Sequence, residues 1–139
     1  MTDDFRVTFF FGPEEVPDPP GTLRCVFNVK KRSWKGGIQA TVELTKVQLE
    51  RLRDLGQLGE LVEMIRAKVE PESFADYGER TRDLFTQQVC WAKLDLAVAA
   101  GIRQENQTIT AEAFGETLNR AVVARADAIR QAILTELDL

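Results

Sequence analysis

Residues 22–44 read TLRCVFNVKKRSWKGGIQATVEL, and two runs within them alternate apolar and polar side chains with the two-residue period of a β-strand. The first run covers 22–31 and the second covers 38–44. Between them, Gly36 and Gly37 supply the residue type that favours a tight turn. The sequence therefore predicts a β-hairpin with one apolar side, and other elements must cover that side.

A further strand is predicted before this hairpin. Residues 5–11 read FRVTFFF, begin with the same alternation and stop at Gly12 and Pro13. The segment 12–21 is rich in proline and acidic residues, which indicates an extended, solvated connection. Three successive strands joined by short connections predict an antiparallel meander.

Beyond residue 44 the apolar side chains recur at the 3.6-residue spacing of an amphipathic helix. Thr45 followed by Gln48 predicts a capping box at the start of the first helix. We expect another long helix over 73–100, and a final helix of about 27 residues capped by Thr110.

The predicted fold class is therefore α+β. A three-stranded antiparallel β-meander at the N-terminus is expected to pack against about four C-terminal helices. A chain of 139 residues has the usual length of one domain, so we predict a single domain over 1–139.

Charge is distributed unevenly along the chain. Lys and Arg outnumber Asp and Glu by eight to two in residues 22–53, whereas the whole chain has a formal net charge of −4. A cationic segment on an otherwise acidic protein is typical of association with a partner.

We call residues 22–44 the basic hairpin. A tryptophan among Lys and Arg resembles an interface hot spot in composition. The leading hypothesis is a non-catalytic protein-protein interaction module, either a regulatory adaptor or a component of a larger assembly, which binds a protein partner with an acidic surface. The predicted partner-binding residues are Arg24, Lys30, Lys31, Arg32, Trp34 and Lys35.

Two alternatives remain. The same hairpin can bind nucleic acid if its cations contact phosphates while Trp34 stacks on a base. A small metal-dependent enzyme is the third hypothesis, because carboxylates crowd residues 70–83. The helix dipole also favours such acids, and no nucleophile with a base lies near them in the sequence. We therefore predict no catalytic residue, no metal ligand and no cofactor.

The residue types that are rare or absent in the chain argue against some classes of function. The chain has no histidine, which removes the commonest general base, and two cysteines, Cys25 and Cys90, which we interpret as small buried hydrophobic residues. No apolar run approaches the roughly 20 residues of a membrane helix. Since residues 1–4 are acidic where a secretory signal is basic, the expected location is cytoplasmic, without membrane association.

Two charged residues fall inside apolar helical stripes. Asp95 lies in the stripe of the helix over 73–100 and Arg125 in that of the final helix. A simple helical hairpin brings Arg125 nearer Gln88 than Asp95. Each group therefore reaches solvent or a local polar partner, or else the two residues mark an interface in a homo-oligomer.

Overall fold

The computed structural model describes residues 5–17, 20–55, 57–99, 107–109 and 115–139. Four strands form one sheet in the order β1-β2-β3-β4. The first three pair antiparallel, as predicted, and the short fourth strand, which was not predicted, pairs parallel to β3. The strands are β1 (Phe5–Val16), β2 (Thr22–Lys31), β3 (Ile38–Thr45) and β4 (Gln107–Ile109).

Helices follow the antiparallel strands, so the predicted α+β class is confirmed. A single turn of 3-10 helix, Pro71–Ser73, precedes the longest of them. The helices are α1 (Lys46–Leu55), α2 (Leu58–Lys68), α3 (Phe74–Ala99), α4 (Gly115–Ala124) and α5 (Ala126–Glu136).

The expected final helix is divided in two. The backbone leaves helical geometry at Arg125, with φ −103° and ψ 5°, so α4 ends before this residue and α5 begins after it. Thr110, the expected cap of that helix, lies outside the described residues.

Strand β1 is longer than the sequence predicts. It passes through Gly12 and Pro13 and continues to Val16, with register shifts between Phe9 and Phe11 and between Phe11 and Glu14. Proline is tolerated here because β1 is an edge strand. The interpretation of this segment as a solvated connection was therefore wrong for residues 12–16.

The close pairing of β1 with β2 requires a glycine at position 12. Its φ is +120°, and a Cβ atom added to it would lie 2.7 Å from the carbonyl oxygen of Arg24 and 2.8 Å from Cα of Cys25. Glycine alone combines that backbone angle with so near a neighbour. Beyond it, the guanidinium of Arg24 donates to the carboxylate of Glu14, with 2.9 Å from Nε to Oε1, and so ties the distal part of β1 to β2.

The core lies between the sheet and the helices. Cys25, Phe27 and Val29 of β2 are completely buried on the covered side of the sheet. Phe27 meets Trp91 of α3 edge to face, with 4.6 Å between ring centroids. On the opposite, outer face of β2, Asn28 is exposed but Val26 is buried, so the accessible part of that face lies next to the tip of the basic hairpin, residues 30–35.

The predicted capping box is confirmed and directs the chain from sheet to helix. The amide of Gln48 donates to Oγ1 of Thr45 across 3.1 Å, and the amide of Thr45 donates to Oε1 of Gln48 across 3.0 Å. Two amides that lack partners at a helix start are thereby satisfied. In the part of the chain that the structure describes, no helix has both the length and the apolar composition needed to cross a bilayer.

Candidate protein interface at the tip of the basic hairpin

The loop between β2 and β3 is held closed by hydrogen bonds to its own backbone. The ammonium of Lys30 donates to the carbonyls of Trp34, at 2.7 Å, and Lys31, at 3.3 Å. The amide of Trp34 donates to the carbonyl of Lys31 across 2.9 Å. Lys30 therefore fixes the shape of the loop.

Trp34 anchors the loop on the first strand. It is half-buried rather than exposed, and its ring meets Phe5 at 5.7 Å between centroids with an interplanar angle of 81°. The ammonium of Lys31 lies 5.6 Å from the centroid of the same Phe5 ring. A cation and an aromatic edge at these distances both stabilise the packing of Phe5.

The loop carries two cations, Arg32 and Lys35. Both are exposed, and neither makes a hydrogen bond or ion pair with another described residue. Because Lys30 and Trp34 fix the backbone of the loop, the side chains of Arg32 and Lys35 project from an ordered backbone.

Arg24 lies apart from this tip. It pairs with Glu14 near the other end of β2, about 23 Å along the strand from Lys31 at about 3.3 Å per residue. The sequence-predicted set is therefore divided: five of the six residues lie in residues 30–35, and Arg24 is neutralised elsewhere.

The outer sheet face adds residues that sequence reasoning missed. A shallow hollow of about 580 Å³ lies beside the tip, and Arg6 and Thr8 of β1 meet Asn28, Lys30 and Gln39 there. The sequence could have indicated these residues, because Arg6 and Thr8 occupy the polar positions of the alternating run that forms β1 and therefore share one face of the strand. The hollow extends the cationic surface from the tip onto β1.

Asp95 and Arg125 meet within one chain. Nη1 of Arg125 lies 2.9 Å from Oδ2 of Asp95, and both side chains are about half exposed, at 48% and 50%. The expectation that Arg125 lies nearer Gln88 was wrong: it assumed a simple helical hairpin, whereas strand β4 lies between α3 and α4. That these residues also mark an interface between copies stays a prediction.

The carboxylates of residues 70–83 do not form a metal-binding cluster. Among the described residues, no three side chains of the metal-ligating types come together. Asp83 lines a cleft of about 300 Å³ that Lys46 and Arg53 also line. Asp83 is exposed, but partial loss of solvation raises the pKa of its carboxyl; Arg82 opposes this rise and the nearby Glu79 adds to it. The enzyme hypothesis gains no support from this geometry.

Among the described residues, the core contains a lysine and two cysteines. Lys93, Cys25 and Cys90 are all completely buried. A hydrogen bond with Cys25, and then burial, raise the pKa of the Cys90 thiol well above its ordinary value, and the nearby Lys93 opposes this. The predicted burial of both cysteines is confirmed.

The fold and the tip together define an α+β domain that presents a cationic β-hairpin. No family model matches the chain, and the searches of curated proteins and of solved structures gave no match.

Proposed function

We propose that the protein is a non-catalytic interaction module that binds an acidic surface of a protein partner through the tip of its basic hairpin. The ordered tip supports this proposal, because Lys30 and Trp34 hold the loop while Arg32 and Lys35 stay exposed. An ordered loop loses little conformational entropy on binding, so its contacts retain more of their free energy. Such a contact serves a regulatory adaptor or a component of a larger assembly.

Nucleic acid is the second candidate, because the same cations suit phosphates. Two observations favour protein instead. The ring of Trp34 is half-buried against Phe5, which leaves less of its surface for stacking on a base. The chain is acidic overall, with a formal net charge of −4, and therefore repels a polyanion that extends beyond the tip.

Charge reversal at the tip tests the proposal. The variant Arg32→Glu/Lys35→Glu is compared with Arg51→Glu/Lys68→Glu, which makes the same charge change at exposed helical positions. Binding to fluorescent polyglutamate and to a single-stranded oligonucleotide is measured by anisotropy at low and physiological salt. We expect polyglutamate to bind more tightly than the oligonucleotide, and only the tip variant to abolish this binding.

Two results contradict the proposal. Tighter binding of the oligonucleotide, lost in the tip variant, would assign the hairpin to nucleic acid. Equal losses in the two variants would show that net charge rather than the tip attracts the probe. Light-scattering chromatography of the wild type at the same protein concentrations reports its mass and detects self-association.

A further inference from the structure

Strand β1 leaves one side of its backbone without a partner in the described structure. Among the described strands, β1 forms an edge of the sheet and pairs with β2 alone. From Phe5 to Phe9 the register with β2 is regular, so alternate amides and carbonyls of this run point away from the sheet. Such a row is a template for another strand.

The two halves of β1 differ in how open they are to pairing. Beyond Phe9, two register shifts disturb the pairing of β1 with β2, and Pro13 has no amide hydrogen to donate. Such features protect an edge strand from pairing with another strand. The first half has no proline and no lysine, and its one charged residue is Arg6. The open edge therefore comprises residues 5–9.

Apolar side chains lie along this open edge. Phe5 and Val7 are half-buried on the covered side of the sheet, and Phe10, at the first register shift, is 54% exposed. An added strand would cover more of these side chains. Removal of this apolar area from water favours such binding.

The charges beside the edge indicate the chemistry of the added strand. Lys31 lies over the ring of Phe5, at the beginning of β1, and the exposed cation Arg32 follows it. Arg6 is exposed on the outer face. A strand that runs antiparallel to β1 brings its C-terminal end to this place, where carboxylates meet the cations.

We infer that residues 5–9 bind an extended peptide segment of a partner, which adds antiparallel as a further strand and carries acidic residues at its C-terminal end. This inference rests on the proposed function, since it assigns the acidic part of the partner to the tip cations. It adds the backbone contact and the direction of the segment. It also adds an alternating apolar pattern, because every second residue of an added strand faces the side of the sheet where Phe5 and Val7 lie.

The probe is a synthetic peptide of six alternating Val and Thr residues followed by three Glu residues, with blocked ends. Two derivatives carry N-methyl groups on all Val or on all Thr residues. One of these sets removes the amides that face β1, so we expect that derivative to bind at least about tenfold more weakly than the parent in calorimetry. A third peptide places the three Glu residues first, and we expect it to bind more weakly too.

Hydrogen exchange locates the contact. The parent peptide should slow exchange at alternate amides within residues 5–9 and leave the amides of α5 unchanged. Arg32→Glu/Lys35→Glu should weaken the parent peptide about tenfold, whereas Arg51→Glu/Lys68→Glu should not.

The outcomes separate this inference from the proposed function. If both methylated peptides bind as the parent does while the tip variant binds none of them, the strand addition is overturned and the proposed function stands. If methylation abolishes binding and the tip variant binds normally, the acidic assignment and the proposed function both fail. If no peptide binds and light scattering shows a dimer with protected residues 5–9, a second copy occupies the edge and the inference is wrong.

Discussion

The ammonium of Lys93 donates a hydrogen bond to the backbone carbonyl of Glu43 across 2.5 Å, although the Lys93 side chain is completely buried. Glu43 directly follows Ala40–Val42, the part of β3 that pairs with β4. Lys93 therefore donates to a carbonyl just beyond the residues through which β3 pairs with β4. The bond links the C-terminal half of α3 to the sheet.

Lys93→Met should lower the free energy of unfolding by about 1–3 kcal/mol, because the carbonyl of Glu43 loses its donor inside the core. Lys93→Ala should cost more, since it also leaves a cavity. Urea denaturation measures both, and Lys68→Met, at an exposed position, should change stability by less than about 0.5 kcal/mol. A Lys93→Met variant as stable as the wild type would contradict this prediction, and would mean that the cost of burying the ammonium cancels the gain from its hydrogen bonding.

Gly12→Ala should destabilise the protein strongly. The positive φ strains any other residue by about 1–3 kcal/mol, and the new Cβ would lie 2.7 Å from a backbone oxygen of Arg24, which cannot move away without disturbing β2. Gly36→Ala is the matched control, because its Cβ would meet no atom within 4 Å. Thermal unfolding compares the two. Equal melting temperatures for these variants would contradict the pairing of β1 with β2 at Gly12.

The antiparallel strands and the cap of α1 could be predicted because local chemistry determines them. Alternation places Cys25 and Val29 on one side of β2, and Thr45 with Gln48 forms its reciprocal bonds within a single turn. The strand β4 has three residues and depends on a distant partner, so no local pattern indicated it.

The orientation of α3 could not be predicted from hydropathy. The pattern of large apolar residues placed Asp95 inside the buried arc, but Asp95 is exposed. At about 100° per residue, the buried side is centred instead on a stripe that mixes small apolar residues with a threonine and a lysine, and hydropathy places the last two on the surface. The stripe consists of Thr86, Cys90, Lys93 and Ala97, all buried.

The candidate site was predictable in composition but not in shape. The sequence indicated the cations of residues 30–35, whereas the packing of Trp34 on Phe5 depends on the pairing of β1 with β2. Arg24 was included because it is close in sequence, and its pairing with Glu14 required β1 to continue past Pro13.

The ion pair of Asp95 and Arg125 should contribute little to folding. Both side chains are about half exposed, so a double-mutant cycle with Asp95→Ala and Arg125→Ala should give a coupling energy below about 1 kcal/mol that decreases with salt. Light scattering of the same variants tests the predicted oligomer interface. A dimeric wild type with monomeric variants would support that interface, whereas unchanged masses would contradict it.

Asp83 should make stability depend on pH in acidic solution. Its pKa is raised in the folded protein above the ordinary 3.8, so between these two values the folded state binds more protons than the unfolded state. Stability from this group is therefore lost as the pH rises through that window. Asp83→Asn should remove this loss. The free energy of unfolding of the variant should therefore exceed that of the wild type by an amount that grows through the window and then stays constant.

Urea titrations of the wild type and Asp83→Asn from about pH 3.5 to pH 7 measure this difference. Asp76→Asn, at an exposed position of the same helix, is the control for removing one negative charge near the start of α3. A constant difference between Asp83→Asn and the wild type over the whole range would contradict the raised pKa.

The thiols of Cys25 and Cys90 should be unreactive in the folded protein. Both are completely buried, and the hydrogen bond with Cys25 and burial raise the pKa of Cys90, so little thiolate forms. Ellman's reagent should label neither residue under native conditions and both after unfolding in urea. Ser33→Cys, which places a thiol on the exposed loop, should be labelled at once while the other two stay protected. Rapid labelling of Cys90 in the folded wild type would contradict this prediction and would show that the contact between α3 and the sheet opens without global unfolding.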